Sequence, residues 1–348
     1  MLFNKVSIEA VGYALPERIV SSIELEGMLR PLYERLGLAE GRLEMMSGIR
    51  ERRFWAEGTL PSEASARAAD NAMKKAGVGP DDIDCLVNCS VSRDCVEPAT
   101  STAVHRLLKL GNNVLNFDIS NACLGMATGI MMLANMVELG QIRRGLAVCG
   151  ENSWPLVKNT IERLNADFDM TRKAFKGQFA SLTIGSAAAA VMVTAEKVSN
   201  FCHKLIGAAN VCDCTANDLC RGDANGGMTE DAAPLMDTDS QTLLHRGVAV
   251  AKNMWSKLKE TVAWSDTTPD VFCTHQVGKA HSALLFDLLG LDASKDFVTY
   301  PELGNCGSAS WPVTCALAQE RGVLKNGSKL AVLGIGSGIN STGMAIEW

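Results

Sequence analysis

Several kinds of function are ruled out by what this 348-residue chain lacks. It has no block of basic residues: 33 Lys and Arg are interspersed among 39 Asp and Glu, for a net charge of −6. That removes the electrostatic footprint of a nucleic-acid binder and the polybasic segment that holds an anionic membrane surface. The N-terminus, Met1-Leu-Phe-Asn-Lys-Val6, shows no charged segment followed by an apolar one, so no secretory leader is expected. The most apolar runs are too short or too interrupted to cross a bilayer. Twelve cysteines in a chain this long do not make a small disulfide scaffold. Cys85, Cys89, Cys149 and Cys273 lie inside apolar, strand-like runs and are expected to be reduced, buried small hydrophobes, which fits a reducing cytoplasm. Cys212, Cys214 and Cys220 match no common zinc spacing and have no well-placed histidine, so no metal is expected.

The 47% apolar content is ample for a large core. Helix-like and short, continuously apolar strand-like stretches alternate, which predicts an α/β fold of parallel or mixed sheets covered by helices. The alternation occurs twice. Helix-like Ser62 to Ala76 leads through Gly79-Pro80-Asp81-Asp82 into strand-like Cys85 to Val91. Helix-like Thr242 to Val262 leads through Pro269-Asp270 into strand-like Val271 to His275. Gly150 lies 27 residues after Cys123, and Gly334 lies 29 after Asn305, each closing a helix–turn–strand unit. Two similar halves are expected, 1–197 and 198–348, with the active site where they meet. Residues 154–180 are polar, helix-prone and charged, and read as an insertion on the surface or at an oligomer interface. Val211 to Met236, rich in Gly, Asp and Asn, reads as a long loop of the kind that is often functional.

Four groups sit where a strand-like segment runs into a turn, the place where α/β sheets display functional residues. Cys123, in Asn121-Ala-Cys123-Leu-Gly125, follows strand-like Val114 to Ile119 and begins a helix-like run. A thiol at a helix start meets unpaired N–H groups and the positive end of the helix dipole, so its pKa is expected to fall and its thiolate to attack carbonyl carbon. His275 ends the second-half strand; as neutral imidazole it is suited to donate to a thioester carbonyl, although a histidine there is often only a packed core residue. The other four histidines lack a partner motif, and His281 is expected to cap its helix or face solvent. Asn305, in Gly304-Asn305-Cys-Gly307-Ser-Ala-Ser310, reads as a turn and helix cap, or beside Cys and His as a second donor to a developing oxyanion. Gly334-Ile-Gly336-Ser337-Gly338 reads as a tight turn after the last core strand whose N–H groups are suited to an oxyanion. It lacks the lysine of a phosphate-binding loop.

Cys, His and Asn in this order, with Gly-Asn-x-Gly-x-Ala-Ser and a terminal Gly-x-Gly-Ser-Gly turn, resemble the thiolase superfamily, in its ketoacyl-synthase III and HMG-CoA synthase branch. The resemblance spans nearly the whole chain and implies a duplicated, five-layered αβαβα fold. Ser90-Val-Ser-Arg-Asp94-Cys-Val-Glu97-Pro98, Pro31-Leu-Tyr-Glu-Arg-Leu-Gly37, Cys220-Arg-Gly222 and Leu333 to Asn340 are most similar to the OleA family, which joins two fatty acyl-CoA molecules head to head. That likeness implies Cys123 as acyl acceptor, His275 and Asn305 as donors to the second thioester, and the backbone N–H groups of Cys123 and Ser337 as oxyanion hole. It implies Glu97 as the general base, supplied across a homodimer interface. It further implies acyl-CoA as substrate, no cofactor, a cytoplasmic location and downstream pathway enzymes as possible partners. Two departures stand out. Ile184-Gly-Ser-Ala-Ala-Ala189 replaces the usual Gly-Asp-Gly-Ala-Gly-Ala of ketoacyl synthases III and suits the OleA group better. Cys95 stands where an aromatic residue is expected, so chain-length preference does not carry over. A decarboxylating 3-oxoacyl-[acyl-carrier-protein] synthase is the nearest alternative, and a non-catalytic dimer subunit is the alternative of another class.

Overall fold

The computed structural model describes residues 1–201, 203–222 and 235–348. Its strands are β1 (Val6–Ala14), β2 (Arg18–Ser21), β3 (Glu51–Phe54), β4 (Cys85–Asn88), β5 (Leu115–Asp118), β6 (Arg144–Glu151) and β7 (Ala187–Ala195), followed by β8 (Lys204–Cys212), β9 (Cys220–Gly222), β10 (Met236–Thr238), β11 (Val271–Thr274), β12 (Lys329–Gly336) and β13 (Asn340–Glu347). Nine of them form one sheet in the order β11-β12-β13-β8-β1-β7-β6-β4-β5. The join between β1 and β8 rests on the single ladder pair Ser7–Lys204, so the sheet is two blocks meeting at a narrow seam. The blocks repeat one pattern. β1 and β7, and β7 and β6, are antiparallel, while β6 and β4, and β4 and β5, are parallel. Likewise β8–β13 and β13–β12 are antiparallel and β12–β11 parallel. A lone parallel bridge between Phe272 and Asp296 stands where the second block would have its counterpart of β5.

Side-chain alternation along the strands creates the layers, because successive residues face opposite sides. On β7, Ala187, Ala189, Val191 and Val193 enter one apolar cluster, and Ala188, Ala190 and Met192 another. On β12, Leu330 and Val332 join the first cluster, while Ala331 and Leu333 face a third. The shared cluster holds helices Gly125–Glu138 and Ser310–Glu320 between the blocks. Helix Pro61–Ala76 covers the outer face of the first block, and helix Ser240–Val262 that of the second. Helix, sheet, helix, sheet, helix gives the five layers expected.

Three expectations change. The strand ending at Gly336 is not the last of the core, since β13 follows and pairs with both β12 and β8. Residues 154–180 do form helices, Trp154–Ala166 and Arg172–Gln178, but not a merely superficial insertion. Val157, Ile161, Leu164 and Phe175 bury one stripe against Val20, Leu25, Leu29, Leu32 and Phe54, making a fourth apolar cluster beside the sheet. The segment read as a loop at 211–236 begins as the end of β8, contains β9 and ends on the first residue of β10, which pairs antiparallel with β9; residues 223–234 within it lie outside the described residues.

Candidate active site

Cys123 stands in a short 3₁₀ turn, Ala122–Leu124, that runs directly into helix Gly125–Glu138. Ala122 before it has φ +44°, a left-handed conformation that a non-glycine residue adopts at a cost of about 1–3 kcal/mol and that recurs at functional turns. Asn121 fixes the turn by donating from Nδ2 to Thr128 Oγ1 at 2.8 Å, and its carbonyl accepts the Leu124 N–H at 2.9 Å. Gly125 is required here: a Cβ would lie 2.1 Å from the Cys89 carbonyl oxygen, so the helix start rests on the end of β4.

The other predicted groups converge on this turn. A Cβ on Gly336 would meet Leu124 Cγ at 3.0 Å and Leu124 N at 3.6 Å, so the Gly334–Gly338 segment lies against the residue following the nucleophile. His275 follows β11, and its N–H donates to the Leu333 carbonyl at 2.9 Å, which seats it beside β12 just ahead of that segment. Asn305 is held by two main-chain bonds to the stretch before β7: its N–H donates to Thr183 O at 3.0 Å, and its carbonyl accepts from Gly185 N at 2.9 Å. Its Oδ1 accepts the Gly307 N–H at 3.0 Å, which leaves the Nδ2 amide as the outward donor. Ser308 Oγ then accepts the Met126 N–H at 2.8 Å, tying the Asn305 turn to the helix of Cys123.

Electrostatics overturn one expectation. Cys123 keeps some exposure, but apolar crowding and the nearby charge of Glu151 push its thiol up to about 12, outweighing the main-chain N–H groups that lower it. The resting side chain is therefore a thiol. His275 is 4% exposed, and burial, aided by nearby His281, lowers its pKa to about 3, so it is neutral imidazole as expected. His281 does not cap its helix, since Gly278 is the cap; it is half-buried, and desolvation lowers its pKa to about 4. The Nδ1 of His275 is buried and has no partner among the described residues.

No hydrogen bond among the described residues ties Glu97 to the Cys123 turn. The residue is exposed and makes no hydrogen bond or ion pair among the described residues. Its loop is anchored further back, where Val91 N and Ser92 N donate to Glu151 at 2.9 and 3.0 Å, and Ser62 N donates to Asp94 Oδ1 at 2.9 Å. Two carboxylates, one buried and one half-buried, escape sequence reasoning. Glu151 follows the apolar run of β6, and a charged residue at that sheet edge was a usable signal. Asp296 sits under Thr274 and Ser282, whose hydroxyls donate to it, and burial raises its pKa to about 7; its loop carries no such signal. Arg246 is occupied by Asp213 and Thr215. Among the described residues no group of three or more His, Cys, Asp and Glu is placed to hold a metal ion, and no helix is long and apolar enough to cross a membrane.

Residues 260–348 match the family profile of the 3-oxoacyl-[acyl-carrier-protein] synthase III C-terminal region. Over 351 residues, covering all of both chains, the sequence is 36% identical to an acyl-CoA:acyl-CoA alkyltransferase of Shewanella oneidensis. It is 33% identical, again at full coverage, to one of Xanthomonas campestris. A β-ketoacyl-[acyl-carrier-protein] synthase III of Streptomyces coelicolor is 26% identical, with 98% of this chain and 96% of that one covered. Solved structures of Xanthomonas campestris OleA superpose at 33% identity over 100% of this chain, with TM-scores of 0.93 to 0.94. They include forms with a cysteine replaced by alanine or serine, a histidine by asparagine, and a glutamate by glutamine, and the serine form holds lauric acid and lauroyl-CoA. With full-length identities of 33% to 36%, the chain belongs to the acyl-CoA:acyl-CoA alkyltransferase (OleA) family of thiolase-like acyltransferases.

Proposed function

We propose that this enzyme condenses two fatty acyl-CoA molecules without loss of CO2, giving a 2-alkyl-3-oxoacyl-CoA through an acyl-Cys123 intermediate. The observation that carries this reading is the meeting of Cys123, His275, Asn305 and the Ser337 turn in a chain whose full-length relatives are acyl-CoA:acyl-CoA alkyltransferases. In the first half-reaction the Cys123 sulfur attacks the thioester carbon. Its proton leaves with the departing CoA sulfur, while the N–H groups of Cys123 and Ser337 hold the oxyanion. In the second, His275 and Asn305 Nδ2 hold the incoming thioester oxygen. Glu97 of the partner subunit removes an α-proton; Cα–H acidity is low, so the base must be positioned and the enolate stabilised as it forms. The carbanion then attacks acyl-Cys123 and expels its sulfur.

Exposure of Glu97 on its own subunit supports a homodimer in which it serves the neighbouring site. Strand β5 lies at the sheet edge, and Leu115 (51%), Val91 (55%) and Val96 (64%) are exposed around it, a surface that pairing with a second copy would cover. The narrow seam between β1 and β8 supports the division into halves 1–197 and 198–348. Six buried free thiols among the described residues support work in a reducing cytoplasm, and a β-keto thioester product calls for downstream enzymes that act on it.

The test is incubation with lauroyl-CoA alone, followed by mass spectrometry. A 2-alkyl-3-oxo acid, or the ketone formed from it, is expected. Product only after a malonyl donor is added would shift the reading to a decarboxylating synthase, which needs no Glu97. Release of lauric acid alone would mark a thioesterase. Glu97→Gln should leave acylation of Cys123 intact and slow condensation by about 10²–10⁴-fold, the usual worth of a general base.

A further inference from the structure

Glu151 closes β6 with 4% of its surface exposed, and no step above uses it. One carboxylate oxygen reaches two parts of the machinery, and the other strengthens the hold on one of them. Oε1 accepts the N–H of Val91 at 2.9 Å and that of Ser308 at 3.3 Å; Oε2 accepts the N–H of Ser92 at 3.0 Å. Val91 and Ser92 begin the loop that carries Glu97. Ser308 lies three residues after Asn305 and bonds through Oγ to Met126 in the helix of Cys123. Gly307, at φ +54°, completes the fit: a Cβ there would lie 3.4 Å from the Glu151 carboxyl carbon. Burying a carboxylate is costly unless donors satisfy it, and here the donors are main-chain N–H groups of two loops that belong to different halves of the chain.

We propose that Glu151 is a positioning residue that locks the Glu97 loop and the Asn305 turn into one register, so that the enolate-forming base and its stabilising donor are set by a single buried carboxylate. This rests on the condensation reading above. A carboxylate is required because both oxygens must accept. A glutamine keeps one acceptor: with its amide nitrogen at the Oε1 place both loops lose a bond, and at the Oε2 place the Ser92 bond is lost and its N–H is left facing a donor. An aspartate keeps both acceptors on a side chain one methylene shorter and reaches the two loops less well.

The test separates the half-reactions in the full-length enzyme with lauroyl-CoA. Glu151→Gln and Glu151→Asp are compared with wild type and Glu97→Gln, folding being checked by thermal melt. Condensation by Glu151→Gln should fall about a hundredfold, the scale of a misplaced catalytic group, while single-turnover acylation of Cys123 falls far less. Glu151→Asp should lie between it and wild type. Equal losses in both half-reactions would reduce Glu151 to general support of the fold, and no loss in condensation would remove its role. If Glu151→Gln does not fold, the same split in Glu151→Asp decides. Should Glu97→Gln condense at the wild-type rate, the condensation reading itself fails. Loss in Glu97→Gln with full activity in both Glu151 variants overturns only the positioning role.

Discussion

At Cys123 two effects act in opposition. The helix start offers N–H groups that favour thiolate, while burial and the charge of Glu151 favour thiol, and the second pair wins, with the pKa near 12. The thiolate fraction of the free enzyme then grows about tenfold per pH unit. Iodoacetamide alkylation of Cys123, followed by peptide mass spectrometry, should climb on that slope from pH 7 to 10. A plateau near neutral pH would mean that the helix start wins. His275, with a pKa near 3, is neutral across that range and should add no inflection to the acylation rate above pH 5. Asp296 gives a stability counterpart. Its pKa is raised to about 7, so the folded state holds the proton more tightly than the unfolded chain. Its contribution is full below the ordinary carboxylate range and is lost as pH rises towards 7. Asp296→Asn should therefore raise the melting temperature, relative to wild type, by about 2 °C or more at pH 8, and less at pH 5. An equal change at both pH values would assign the burial cost elsewhere.

Elements were legible in the sequence where one local pattern decides them. Helices Pro61–Ala76 and Ser240–Val262 begin one and two residues before their expected starts and end where expected. β13 was missed because Asn340-Ser-Thr-Gly343 opens with small polar residues; pairing on both sides, with β12 and β8, makes it a central strand. The stripe Val157, Ile161 and Leu164 was hidden among charges, since its partners lie more than a hundred residues earlier. The site reads the same way. Cys123, His275 and Asn305 stand at strand ends and were visible, whereas the clamp at Glu151 depends on three main-chain donors that no sequence pattern displays. The glycines of helix Gly125–Glu138 offer a test of close packing. A Cβ at Gly129 would meet the Cys89 sulfur at 2.4 Å, and one at Gly125 would meet the Cys89 carbonyl at 2.1 Å. Each alanine substitution should cost about 1–3 kcal/mol or more in urea unfolding. Cys89→Ala should rescue Gly129→Ala, whose obstacle is a side chain, and leave Gly125→Ala unrescued. Rescue of both would place the strain outside these contacts.

For the whole molecule the unsettled feature is Glu97, which is exposed on its own subunit, while strand β5 leaves one sheet edge unpaired. A symmetric dimer built on that edge lets each subunit lend its base to the other, so neither copy is complete alone. Mixing resolves this arithmetically. A Cys123→Ala subunit keeps Glu97 but has no acyl acceptor, and a Glu97→Ala subunit keeps the acceptor but lends no base. If the base acts across the interface, each heterodimer has one working site of two. Random exchange makes half the dimers mixed, so condensation should recover to about a quarter of the wild-type specific activity. If Glu97 serves its own subunit, no dimer of any composition contains both groups at one site. Co-expression with two different affinity tags isolates the heterodimer, for which activity near half of wild type is expected. An inactive purified heterodimer would return the base to its own chain and leave the exposed edge with no part in catalysis.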